Sequence, residues 1–167
     1  MPTSRDLPAD RAAIGQLLVR LLRHFRTELL GAAAAAGYDD VREPHLQIFG
    51  NIYDGARLTE LATRAQLSLA ATSELVNDLQ QLGYVERHPD PRDRRAKLIV
   101  PTRRGQTALT AAGDRVAEIE EHWASLIGRD RFTGACRAMQ DLLDTLEADH
   151  AADHHARQAD TPTAQPG

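Results

Sequence analysis

Tyr84–Gly105 reads YVERHPDPRDRRAKLIVPTRRG, and its interpretation decides the fold. Two runs that favour extended backbone, Tyr84 to His88 and Ala96 to Val100, flank the segment PDPRDRR. Pro89 and Pro91 fix the backbone and cannot donate to a strand ladder, so the residues between the runs are expected to project as a loop. The stretch holds seven cations (Arg87, Arg92, Arg94, Arg95, Lys97, Arg103, Arg104) against three acids (Glu86, Asp90, Asp93). The whole chain has 20 basic and 24 acidic residues, so 13 basic and 21 acidic residues remain outside the stretch. A cationic hairpin on an anionic body is the charge pattern of a polyanion-binding element.

The residues before the hairpin give it a context. Leu58 to Ala65 and Leu69 to Leu82 read as two helices joined tightly through Gln66, Leu67 and Ser68. Thr59 and Ser68 are the expected N-caps, and Gly83 is the stop. Two short helices followed by a hairpin form a winged helix-turn-helix. Upstream, apolar residues at Ile14, Leu18, Leu21, Phe25 and Leu29 recur at steps of three and four, which predicts a long helix from Leu7 to Ala36 closed by Gly37. Pro44 to Tyr53 predicts a second helix, broken by Asp54-Gly55. Downstream, Thr102 is placed to cap a long helix with a seam of Leu109, Ala112, Val116, Ile119, Trp123 and Leu126. A last helix, about Asp130 to Ala148, repeats the pattern at Phe132, Cys136, Met139, Leu143 and Leu146. Such seams suit either intramolecular core or a subunit interface. Beyond His150 the chain is small, polar and proline-bearing, and is expected to be a disordered tail.

The 167 residues suffice for one domain with a core. No apolar run reaches the ~18 residues that span a bilayer. The amino-terminal MPTSRDLPAD lacks the basic-then-apolar pattern of a secretion signal, and a single cysteine, Cys136, excludes an intrachain disulfide. These features predict a cytoplasmic protein. No nucleophile–base pair, phosphate loop or metal-ligand spacing occurs, so neither catalysis nor a cofactor is expected. His150, His154 and His155 are close in sequence, but the expected tail would not hold them at the fixed distances a metal needs.

The element order, together with LVNDLQQLGYVERHPDPRDRRAKLIVPTRRG, resembles the MarR family of bacterial transcription regulators. Its specific part is the DPRDRR wing followed by an alternating strand and a Thr-x-x-Gly helix start. The resemblance covers about Leu7 to Ala148. It implies a mostly α fold with a small β-wing, divided into an arm (1–6), a winged helix-turn-helix domain (7–149) and the tail (150–167). Within the domain, 44–101 would be the DNA-binding lobe, and 7–36 and 102–149 the dimerisation helices. It further implies a homodimer on a pseudo-palindromic duplex and, for many members, release by a small aromatic or carboxylic effector. Asp93 matches the family acid that orients the wing arginine, here Arg95.

The recognition helix departs from the family pattern. Leu69, Glu74 and Asp78 stand where relatives commonly place basic residues, and no Lys or Arg occurs from Leu69 to Leu82. Ser68, Ala70, Thr72, Ser73 and Asn77 are left to meet base edges. The wing and its flank, Arg92, Asp93, Arg94, Arg95, Lys97, Arg103 and Arg104, are expected to supply most of the affinity. His24, Phe25, His45, Phe49, Tyr53 and Trp123 are the expected lining of an effector cleft. The alternatives are a ligand-insensitive regulator and a helical module whose winged lobe binds protein.

Overall fold

The computed structural model describes residues 12–159 and contains, among them, six helices and three short strands. The arm at 1–6 lies outside the described residues, and the first helix, read from Leu7, is corrected to a start at Ile14, since Ala12 and Ala13 are not helical. The chain divides into two compact units, one through Ile119 and the other from Glu120.

In the first unit, α1 (Ile14–Ala35) is followed by Gly37 at φ +87°, a left-handed turn that glycine enters without a Cβ penalty. The helix α2 (His45–Ile52) buries His45, Ile48 and Ile52. A two-residue strand, β1 (Ala56–Arg57), leads into α3 (Leu58–Ala65), and α4 (Leu69–Gln81) follows. Ser68 caps α4 as expected, its Oγ accepting the Ala71 N–H at 3.1 Å. The expected cap at Thr59 is corrected: α3 starts two residues earlier than that reading requires, with Arg57 as N-cap, whose N–H donates to Glu60 Oε2 at 3.0 Å. The Glu60 carboxylate, one turn on, occupies the position from which it can reach back to that amide.

The hairpin consists of β2 (Val85–Asp90) and β3 (Asp93–Pro101), in a sheet ordered β1-β3-β2. The expected long loop PDPRDRR is therefore corrected to a tight turn at Pro91 and Arg92. Pro89 is accommodated because β2 is an edge strand and the ladder breaks beside it. Pro89 faces Lys97 while Asp90 faces Asp93, so Arg94, Arg95 and Ala96 form a bulge on β3. The core beneath joins Ile48 and Ile52 of α2, Leu61 of α3, Val76 and Leu79 of α4, and Tyr84, Val85 and Ile99 around the sheet.

The helix α5 (Arg103–Ile127) starts at Thr102, whose Oγ1 accepts the Gly105 N–H at 3.1 Å and donates to the Gly83 carbonyl at 2.6 Å. In the second unit, α6 is Arg129–Ala159. It runs beyond the expected end at Ala148 and into the stretch read as a disordered tail, a correction for residues 150–159; residues 160–167 lie outside the described residues. The run LEADHAADHHARQA has no glycine or proline to stop a helix, although it offers no apolar face. Met139, Leu142, Leu143 and Leu146 are exposed on α6, as are Ile14, Leu18, Leu21 and Leu22 on α1.

Candidate nucleic-acid interface

The wing is held from beneath by an acid that the sequence reading passed over. Asp90, at the end of β2, is buried at 3% exposure. Its Oδ1 accepts the Arg92 N–H at 2.8 Å, closing the turn, and its Oδ2 accepts Arg57 Nε at 2.7 Å from β1. The Arg92 amide and the Arg57 guanidinium together hold the carboxyl below its usual range. Asp93, the expected orienting acid, accepts instead the backbone N–H of Arg95 at 3.0 Å. It fixes the bulge backbone, and the Arg95 side chain is exposed.

Of the expected wing cations, Arg92, Arg95, Lys97 and Arg103 are exposed, and Arg94 lies in the bulge of β3. Arg104 differs. Its guanidinium donates to the Leu82 carbonyl at 2.6 Å, to Asp40 Oδ2 at 2.8 Å and to the Tyr84 hydroxyl at 3.0 Å, and it stacks on the Tyr84 ring at 4.3 Å. It ties the end of α4 to the start of α5 while remaining exposed.

Tyr84 is the centre of this tie. The residue is fully buried, its hydroxyl donates to Asp40 Oδ1 at 2.5 Å, and its ring meets Phe49 edge-on at 5.5 Å. Burial and the Asp40 carboxylate push the phenol up to about 12. Burial works to raise Asp40 as well, but the Tyr84 and Arg104 hydrogen bonds outweigh it and leave that carboxyl lowered. The unfolded phenol ionises near 10.0. The stabilisation linked to Tyr84 is therefore complete below that pH and is lost as pH rises toward about 12. Tyrosinate absorbance should show one late step in the native protein that Tyr84→Phe removes. Survival of the step in that variant would refute the assignment.

On α4, Ala70 and Asn77 are exposed, Ser73 is half-buried and Ser68 holds the cap. Thr72 corrects the expectation: it is fully buried and its hydroxyl donates to the Ser68 carbonyl at 2.9 Å. The two acids also part. Glu74 and the half-exposed Leu69 lie open to solvent, while Asp78 accepts Arg42 at 2.8 Å. Arg87, which the sequence reading counted only as charge, reaches from β2 to α4 and donates to Asn77 Oδ1 at 2.7 Å and to Gln80 Oε1. The signal for it was present in β-strand alternation, which turns residue 87 to the face of the sheet shared with buried Val85.

A cavity of about 670 Å³ opens in the first unit between α1, α2, α3 and α5. Phe25 and Phe49 line it, with Leu29, Tyr38, Leu109 and Val116 completing much of the apolar wall. The other four expected residues do not line it. His24 is exposed on α1, Tyr53 is exposed beneath the Arg64 guanidinium at 5.4 Å, and Trp123 belongs to the second unit. His45 is fully buried under α4. Its Nδ1 accepts the Arg42 N–H at 3.2 Å and its Nε2 lies 3.7 Å from Asp78. Burial, reinforced by Arg42, lowers its pKa and favours the neutral ring. A shared helix does not mean a shared face, and these positions have no common register along their helices. Among the described residues no cluster of His, Cys, Asp or Glu could hold a metal, and no helix is long and apolar enough to cross a membrane.

Residues 40–96 match the model of the MarR family. An HTH-type transcriptional regulator of Bacillus subtilis (strain 168), YdcH, is 31% identical over 85 residues, which cover 50% of this chain and 56% of that protein. The chain thus matches little more than half the length of this relative. Among solved structures, AbsC, a MarR family transcriptional regulator from Streptomyces coelicolor, aligns with a TM-score of 0.66 at 19% identity, over 87% of this chain and 99% of its own. Wild-type MarR from E. coli in its apo form aligns at 0.64 with 18% identity, over 83% and 99%. At such identities the likeness establishes the winged-helix fold and nothing finer.

Proposed function

We propose, from the match of residues 40–96 to the MarR family, that the chain belongs to that family and is a cytoplasmic transcriptional regulator, not an enzyme, that binds double-stranded DNA as a homodimer. The observation that carries the reading is the wing. Arg95 and Lys97 are exposed on it and Arg103 is exposed at the following helix start, and none is ion-paired among the described residues, while the hairpin is braced by the buried Asp90. A braced hairpin with unneutralised guanidinium groups suits a narrow minor groove, where negative potential is enhanced. α4 would then lie in the adjacent major groove.

The exposed apolar residues of α1 and of α6 support a second copy, since surfaces of this kind gain by being covered. Two-fold symmetry would place half-site centres about one helical turn, ~10 bp, apart. The cavity supports a small organic effector, with an apolar body against Phe25, Phe49 and Tyr38. An effector that prefers a lobe arrangement unable to fit DNA would lower operator occupancy by its differential affinity, which makes the protein a ligand-released repressor.

Selection of bound duplexes from random DNA tests this, repeated with phenolic and carboxylic small molecules present. Enrichment of an inverted repeat is expected, with affinity falling by orders of magnitude between low and high salt through counterion release. Absence of duplex binding even in dilute buffer would refute the reading.

A further inference from the structure

The helix α4 has no cation of its own, yet one is fixed on it by a neighbouring strand. Arg87 stands on β2 opposite Ile99. Its two terminal nitrogens are held by two amide oxygens of α4, Asn77 Oδ1 at 2.7 Å and Gln80 Oε1. Asn77 and Gln80 are three residues apart, so they are neighbours on one helical face, and both are exposed. The same face carries Ala70, Ser73 and Glu74 toward the N-terminus of the helix. Of the two acids on α4, Asp78 is engaged by Arg42 at 2.8 Å, and the bonds that hold Arg87 come from the two amides.

A guanidinium has five N–H donors in one plane. Two are committed to the helix, which fixes the plane and leaves three for a ligand. This arrangement also changes what Asn77 can do. Reading adenine requires the amide oxygen to accept from N6 while the amide nitrogen donates to N7, and one of the two lone pairs of the Asn77 oxygen is already taken by Arg87. The donors on this face are therefore the free N–H groups of Arg87 and the amide nitrogens of Asn77 and Gln80, beside the Glu74 carboxylate.

We propose that Arg87 is the specificity-determining residue of the lobe and reads a guanine in the major groove, with Asn77 and Gln80 as positioning residues. Guanine is the base whose major-groove edge offers two acceptors, O6 and N7, spaced for paired guanidinium donors. A phosphate can also accept the paired donors of the fork, but it is the same at every base pair, so only a contact to a base edge makes the choice of base depend on this side chain. The assignment rests on the proposal that α4 lies in a major groove.

The test is duplex selection from random DNA with the full chain as wild type, Arg87→Ala and Arg87→Lys, with thermal melting of each. The wild type should select a G·C pair at one fixed position of each half-site. Arg87→Ala should bind that site about tenfold to a hundredfold more weakly and lose the preference at that position. Arg87→Lys, which keeps the charge without the fork, should retain binding to unselected DNA and also lose the preference, with a melting temperature close to wild type. If both variants still select the same guanine, the assignment is overturned while DNA binding stands. A wild type that selects no duplex overturns both.

Discussion

Replacing Arg95 with Ala is expected to weaken duplex binding by about tenfold to a hundredfold, and replacing Ser73 with Ala by no more than about threefold. The difference follows from where each residue sits. Arg95 is exposed in the β3 bulge, and its backbone is pinned by the Asp93 carboxylate at 3.0 Å. Little conformational freedom of the main chain is then lost when the side chain enters a groove. A guanidinium there gains from the focused potential of the groove whatever the base sequence. Ser73 is half-buried on α4 and offers one hydroxyl. The salt dependence separates the two as well, since losing Arg95 removes one released counterion per lobe and lowers the slope by about one per lobe, or about two for the dimer, while losing Ser73 leaves it unchanged. Affinities measured across a salt series check both statements. Equal losses, or an unchanged slope for Arg95→Ala, would show that the wing does not carry the binding.

The parts of this molecule that were legible in the sequence are those set by local chemistry. The cap at Ser68, the stops at Gly37 and Gly83, and the Thr102 start of α5 each depend on one residue and its near neighbours, and each stands where the pattern put it. The readings Leu58 to Ala65 and Leu69 to Leu82 located α3 and α4 to within a residue. What was not legible depends on partners distant in sequence. Asp90 reads as one more acid in a charged turn until β1, 33 positions away, brings Arg57 to it. Arg104 reads as a free cation until Asp40 and the Leu82 carbonyl are placed around it. Strand ends were misjudged for a related reason: proline argues against a ladder, but an edge strand with a bulge beside Pro89 tolerates it. The recognition helix shows both sides of this. Its lack of basic residues was plain, whereas Arg87 crossing from β2 could be found only from the fold.

Gly105→Ala should cost about 3 kcal/mol, the upper end of what overpacking costs. For a chain of this size that lowers Tm by roughly 6–12 °C. The glycine lies in the first turn of α5, where helix propensity alone favours alanine. Propensity is overruled because a Cβ at this position would lie 2.0 Å from the Tyr84 carbonyl oxygen and 3.4 Å from Pro101 Cβ. The obstacle is backbone, and that backbone is itself fixed, since the same carbonyl accepts the Thr102 N–H at 3.0 Å. Relief requires the start of α5 to move away from Tyr84, which strains the Thr102 cap and the Arg104 contacts together. Gly31→Ala in α1 is the control. A Cβ there meets nothing within 4 Å, so the substitution should stabilise by about 1 kcal/mol through propensity. Thermal denaturation followed by circular dichroism should shift the two variants in opposite directions. Because the end of α5 displaced in Gly105→Ala also holds Arg103, DNA affinity should fall in that variant even at temperatures where it is fully folded. A Gly105→Ala protein that melts with or above the wild type would mean that α5 does not pack against Tyr84 in this way.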